Sequence, residues 1–171
     1  MTKHVIDYVP LDSVDADAID ALLDRAFGVD RHRRTAYVVR RSARAIPALS
    51  IAALEAGALV GSIQCWPVTL TADDGTPYPL VMIGPVAVDP DRQRDGIGRV
   101  LMTRSLAAAR DAGLDGALML IGDPEYYERF FGFTAARTAL WRLPGPVEPR
   151  RLLARGDAVP DMPGVLGALA D

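Results

Sequence analysis

The chain is 171 residues long, about one domain's worth, with half its residues apolar and 24% charged, which excludes disordered and collagen-like architectures. Nineteen basic residues stand against 22 acidic ones, and the formal charge of −3 argues against a nucleic-acid partner, which a basic excess would mark. One cysteine, Cys65, and two histidines, His4 and His32, exclude a disulfide framework, and no metal site is expected from them.

Lys3 is the only lysine, and the other eighteen basic residues are arginines. The opening stretch Met1–Tyr8 lacks the apolar core of a signal peptide, and Asp7 interrupts it. No apolar run approaches a membrane span. A cytoplasmic chain without a membrane partner is therefore expected.

Val5–Tyr8 reads as a first strand. Asp12 or Ser13 can cap a following helix whose apolar face is Ile19, Leu22, Leu23, Ala26 and Phe27. An arginine-rich segment from Asp30 to Arg44 reads as helix or helix plus loop, with its charges on a solvated face. Leu49–Leu54 and Leu59–Trp66 are strand-like runs joined by a turn at Glu55-Ala56-Gly57, and Asp73–Pro77 marks a second turn. Leu80–Val88 is apolar, as a strand buried on both faces should be, but Gly84-Pro85 interrupts it. Proline cannot donate to a ladder, so the pair predicts a bulge or a local separation of strands.

A helix is predicted over about 96–112, with Ile97, Val100, Leu101, Ala108 and Ala112 on its apolar face. Ala117–Ile121 is another buried strand, and Pro124 opens a short helix through Tyr126, Tyr127 and Phe130. Phe133–Leu143 reads as a last strand. Five prolines from Pro144 to Pro163 make residues 144–171 an irregular tail. Its Val165, Leu166 and Leu169 are expected to dock internally or across a homodimer. The order of elements describes one mixed α/β domain over residues 1–171.

The informative stretch is Val86–Leu101. It leaves a buried strand, turns at Asp89-Pro90 and enters a helix through Gly96 and Gly98. A helix N-terminus presents unpaired N–H groups and the positive end of the dipole, and glycines let that backbone approach a phosphate. Arg92, Arg94 and Arg99 supply cationic side chains around it. A P-loop would need a lysine after the glycine, and the sole lysine is Lys3. A dinucleotide turn would need a third glycine, where Leu101 stands, and its first glycine directly after the strand.

Gln93-Arg94-Asp95-Gly96-Ile97-Gly98 matches the Gln/Arg-x-x-Gly-x-Gly/Ala signature of the GNAT superfamily of N-acetyltransferases. With Gly84–Pro90, Gly122–Phe133 and Cys65–Val68, the stretch from about Ser50 to Trp141 resembles the bacterial YhbS-like branch. The resemblance implies the GNAT fold, a central, mostly antiparallel sheet splayed at one strand pair and flanked by helices. It implies acetyl-CoA as cosubstrate, without a metal, and an amine as acceptor. The pyrophosphate would sit on Gln93, Arg94, Asp95, Gly96, Ile97, Gly98 and Arg99, and the pantetheine arm beside Val86, Ala87 and Val88 like an added strand.

On the family pattern the reaction is direct attack, with backbone N–H groups near Val86–Val88 polarising the thioester carbonyl. The proton donor is a tyrosine of the short helix, Tyr127 or Tyr126; Tyr127 stands one residue farther from Gly132 than in the common Tyr-x-x-x-Gly-Phe spacing, because Phe130 and Phe131 are doubled. Asp123, Glu125, Glu128 or a water relay from backbone carbonyls would act as base. Cys65 reads as core packing and not as a nucleophile. Trp66 lines the acceptor pocket or fills the core. The segment Arg31–Arg44 corresponds to part of the acceptor wall. A non-catalytic acyl-CoA-binding or sensing module is the alternative reading.

Overall fold

The computed structural model describes residues 5–168, so that His4 and Leu169 lie outside the described residues. Eight strands form one open, mixed sheet with the order β1-β2-β3-β4-β5-β7, and β8 pairs with both β3 and β6. The strands are β1 (Ile6–Pro10), β2 (Ile51–Glu55), β3 (Ala58–Ala72), β4 (Pro77–Val88), β5 (Leu118–Ile121), β6 (Trp141–Arg142), β7 (Leu152–Arg155) and β8 (Gly164–Ala168). The helices are α1 (Ala16–Phe27), α2 (Thr35–Val39), α3 (Ile97–Asp111) and α4 (Pro124–Phe131). Pairing is antiparallel for β1/β2, β2/β3, β3/β8 and β5/β7, and parallel for β4/β5 and β6/β8.

The chain gathers into two compact units, the first made of residues up to 31, 45–65 and 84–112, the second of the remainder. In the first unit α1 begins later than Asp12 or Ser13 would place it. Leu11–Ser13 forms a 3-10 turn closed by Ser13 Oγ donating to the Pro10 carbonyl at 2.6 Å. The cap is Asp15, whose carboxylate accepts from the Asp17 N–H. The expected apolar face of α1 is real: Leu22 and Leu23 bury themselves against Ala87, with Ile19, Ala26 and Phe27 beside them.

Between β2 and β3, Ala56 and Gly57 both have positive φ, +50° and +79°, the backbone a two-residue hairpin turn requires. α3 buries Ile97, Leu101, Met102, Ser105 and Ala109. The expected face is corrected at three positions, since Val100 and Ala112 are exposed and Ala108 is only half-buried. Gly61 explains how closely α3 approaches β3. A Cβ there would stand 2.8 Å from Cγ2 of Ile97.

The second unit corrects the reading of the C-terminal third. Residues 133–143 are not a strand. They make one bridge, Thr134 with Ala154, and a turn in which Thr138 Oγ1 donates to the Leu152 carbonyl at 2.7 Å, before the two-residue β6. Residues 144–168 are not an irregular tail. β7 pairs with β5 from Leu118↔Arg155 to Ile121↔Leu152, and β8 pairs with β3 from Val68↔Ala168 to Ala72↔Gly164. Leu166 is fully buried in a core with Val39, Val68, Leu70, Leu80, Met82, Met119 and Trp141, while Val165 faces outward.

Candidate active site

β4 ends in the stretch that precedes the glycine loop. Gly84 takes a φ of +119° and its peptide bond to Pro85 is cis. Beyond it Ala87 is buried against α1, and Val86 and Val88 point the other way, toward the first turn of α3. A Cβ on Gly98 would lie 3.6 Å from Val88 Cγ2 and 3.9 Å from Val86 Cγ1. The Asp89 N–H donates to the Val60 carbonyl at 2.8 Å, and the Asp89 carboxylate caps the 3-10 turn Pro90–Arg92 by accepting from Asp91.

The loop then exposes Gln93, Arg94 and Asp95 and reaches Gly96, whose φ of +76° is the left-handed backbone glycine tolerates. A Cβ on Gly96 would meet no heavy atom within 4 Å. Ile97 could offer a ligand only its main chain, because its side chain is 1% exposed and packs in the core. Arg99 is exposed. Arg92, expected to supply a cationic side chain around the loop, donates to Glu55 and pairs with Asp95 at 3.9 Å.

The N-terminus of α3 differs from those of the other helices of eight or more residues. α1 is capped by Asp15 with Asp17 in its first turn, and α4 by Asp123 with Glu125 in its first turn. α3 has no side-chain cap and no acidic residue in its first turn. The N–H groups of Ile97, Gly98 and Arg99 have no intrahelical acceptor by helix geometry, and the dipole adds positive potential there. The residues present fit a phosphate.

In the second unit β4 and β5 share two paired positions, Val81↔Leu118 and Met82↔Met119. β5 continues through Leu120 and Ile121, which pair with Leu153 and Leu152 of β7. It leads into α4, which ends at Gly132 with a φ of +72°. Tyr126 meets the rings of Tyr127 at 5.0 Å, Phe130 at 5.2 Å and Phe131 at 5.8 Å. Burial pushes the Tyr127 phenol up to about 12, with Tyr126 and Asp123 adding to the rise and Arg151 opposing it. It therefore keeps its proton at neutral pH and holds it more tightly than a free phenol does.

Two expected base candidates are already engaged. Asp123 accepts from the Glu125 N–H at 3.2 Å, and Glu125 pairs with Arg150 at 3.1 Å. Glu128 is exposed. Cys65 is fully buried, with Sγ 3.1 Å from Ser105 Oγ and 3.7 Å from the Leu49 carbonyl, and burial pushes its thiol up to about 11. That is the environment of a packed thiol and not of a nucleophile.

The arginine-rich segment is not uniformly solvated. Arg31 is 4% exposed and pairs with Asp20 at 3.2 Å and with Asp24. Arg40 is also buried, its guanidinium 4.3 Å over the Trp66 ring, and Trp66 packs against the core of the second unit. The burial of Arg40 corrects the solvated face expected for it, and Gly61 is a position the sequence reading does not single out, although a glycine inside an apolar strand is a signal of close approach. Among the described residues no cluster of three or more His, Cys, Asp or Glu side chains forms a metal site, and no helix is long and apolar enough to cross a membrane.

Residues 7–136 match the family model described as an acetyltransferase (GNAT) domain. The YhbS protein of Escherichia coli K12, an uncharacterized N-acetyltransferase, is 30% identical over 133 residues, 77% of each chain. The crystal structure of Escherichia coli YhbS in complex with CoA superposes with a TM-score of 0.72 at 26% identity, covering 97% of this chain and 89% of that one. A GNAT family acetyltransferase from Brucella melitensis in complex with acetyl-CoA gives a TM-score of 0.58 at 30% identity, covering 91% of this chain and 99% of that one. The chain belongs to the GNAT acetyltransferase family.

Proposed function

We propose that this protein transfers the acetyl group of acetyl-CoA to a primary amine by direct attack, with residues 1–171 acting as one catalytic domain. The observation that carries the reading is the start of α3, uncapped and free of acidic side chains behind an open Gly96. The coenzyme complexes of the two structural relatives support the same ligand class. We place the activity in the cytoplasm, where a lone thiol such as Cys65 stays reduced.

In this reading the backbone N–H groups of the loop from Gln93 to Arg99 hold the diphosphate, except that of Asp95, which donates to the Arg92 carbonyl at 3.2 Å, and Arg94 and Arg99 add charge at its rim. The main chain of Val86, Ala87 and Val88 pairs with the pantetheine amides and donates to the thioester carbonyl oxygen. Bound acetyl-CoA supplies an acyl group already activated as a thioester. As the amine nitrogen bonds to the carbonyl carbon and the C–S bond breaks, Tyr127 donates its phenolic proton to the departing thiolate. The amine loses one proton through water, which restores the phenol. Tyr126 is the second candidate donor.

Calorimetric titration with acetyl-CoA, followed by thioester loss with a panel of amines, tests the proposal. Saturable binding and amine-dependent turnover are expected. No heat at millimolar coenzyme overturns it, and saturable binding with no turnover assigns the chain to acyl-CoA sensing instead.

A further inference from the structure

Residues 32–44, all in the second unit, carry five arginines, Arg33, Arg34, Arg40, Arg41 and Arg44, and no acidic residue, in a chain of formal charge −3. The segment is tied to the body of the unit at two points. Val39 is buried in the core, and Thr35 Oγ1 donates to the Pro146 carbonyl at 2.6 Å. Arg40 is 6% exposed, with its guanidinium carbon 3.9 Å from the Tyr37 ring centroid and 4.3 Å from that of Trp66. Cation–π contact at such distances fixes a charged side chain out of water.

Arg40 anchors a closed turn. The Arg41 N–H donates to the Val38 carbonyl at 3.3 Å and the Ala43 N–H to the Arg40 carbonyl at 2.9 Å, with Ser42 at a φ of +68°. The turn exposes Arg41 and Arg44, and among the described residues Arg33, Arg41 and Arg44 have no ion-pair partner. One core cluster takes in Val39, Trp66, Met119 and Ile121, and Ile121 leads through Gly122 into the helix of Tyr126 and Tyr127. The basic turn and the tyrosine helix are thus built on one packed unit.

We propose that this turn binds the anionic end of the acetyl acceptor, so that the substrates are amines bearing a carboxylate or a phosphate; the inference rests on the acetyltransferase reading. Arg41 and Arg44 carry planar forks that match either anion bidentately, on a turn closed by two backbone hydrogen bonds. Arg40 is a positioning residue, since its guanidinium is committed to Tyr37 and Trp66.

The test compares kcat/KM for O-phosphoethanolamine with ethanolamine, and for β-alanine with β-alaninamide. At least one anionic amine should exceed its neutral partner by about tenfold, through KM. In Arg41→Ala/Arg44→Ala, two exposed positions, that advantage should fall to within about twofold while acetyl-CoA affinity holds. Equal use within both pairs, or an advantage that survives the double variant, overturns the inference. So does a loss of acetyl-CoA affinity in that variant, which would assign the arginines to the coenzyme's phosphates.

If no amine turns over, calorimetry with O-phosphoethanolamine and β-alanine on the CoA-bound protein decides. Saturable heat lost in the double variant supports the site, and its absence, or binding of polyglutamate alone, rejects it. Failure of acetyl-CoA itself to bind would instead overturn the acetyltransferase reading.

Discussion

The ring of Tyr127 lies so close to Gly122 that a Cβ on the glycine would stand 2.5 Å from Cε2 and 2.8 Å from Cδ2. Gly122 leaves β5 one residue before the α4 cap, so the absent side chain leaves the room the phenol occupies. Gly122→Ala must push the ring aside. It should cost about 2 kcal/mol of stability and lower kcat, while acetyl-CoA affinity stays within about threefold. Tyr127→Phe should lower kcat alone. Normal turnover in Tyr127→Phe would move the donor role to Tyr126.

Tyr127 and Cys65 also set an alkaline limit to stability. Both hold their protons more tightly in the fold than in the unfolded chain, at about 12 against 10.0 for the phenol and about 11 against 9.0 for the thiol. Their contribution is complete below the unfolded values and is lost as pH rises through the folded ones. Stability should therefore fall from pH 9 upward, and Tyr127→Phe should flatten the part between pH 10 and 12. Urea midpoints across that range check this, and an unchanged slope in the variant would contradict it.

At Gly96 the backbone is left-handed and the space beside it is open. Gly96→Ala should cost about 1 kcal/mol through its φ and leave most coenzyme affinity. Gly96→Trp should weaken acetyl-CoA by more than about tenfold at a similar stability cost, because the indole occupies the anion's place. Calorimetry beside thermal melts separates the two effects.

Ser62 is fully buried and its hydroxyl is the one buried side-chain polar atom among the described residues without a partner. Removing an unsatisfied buried hydroxyl relieves its desolvation, so Ser62→Ala should stabilise by about 1 kcal/mol with activity unchanged. Chemical denaturation measures it.

Cys65→Ala should retain kcat to within about twofold, since direct attack needs no thiol. In the native wild type the thiol should react with alkylating reagents only as fast as the protein opens, because it is fully buried. Loss of turnover in Cys65→Ala with coenzyme binding intact would revive a covalent route.

The helices and the glycine loop were readable because their signals are local. Asp123 and Pro124 open α4 and Gly132 closes it, all within a ten-residue window. β7 and β8 were not readable. Leu152–Arg155 and Gly164–Ala168 are short runs among prolines and glycines, and they are extended because β5 and β3 offer them edges. Arg31 and Arg40 lie in a segment expected to be solvated, because charge is normally exposed. Their partners are Asp20 and Asp24, one turn apart on α1, and the Tyr37 and Trp66 rings. The α1 aspartates, spaced four residues apart, were the clue available for Arg31.

The late strand β7 has a bearing on biosynthesis. Leu118–Ile121 gains its antiparallel neighbour only from residues 152–155, so a nascent chain carries β5 half-bare until those residues clear the ribosome. A premature stop between α4 and β7 would leave that apolar edge permanently unpaired, and such a product should be captured by chaperones or aggregate instead of surviving as a shortened enzyme.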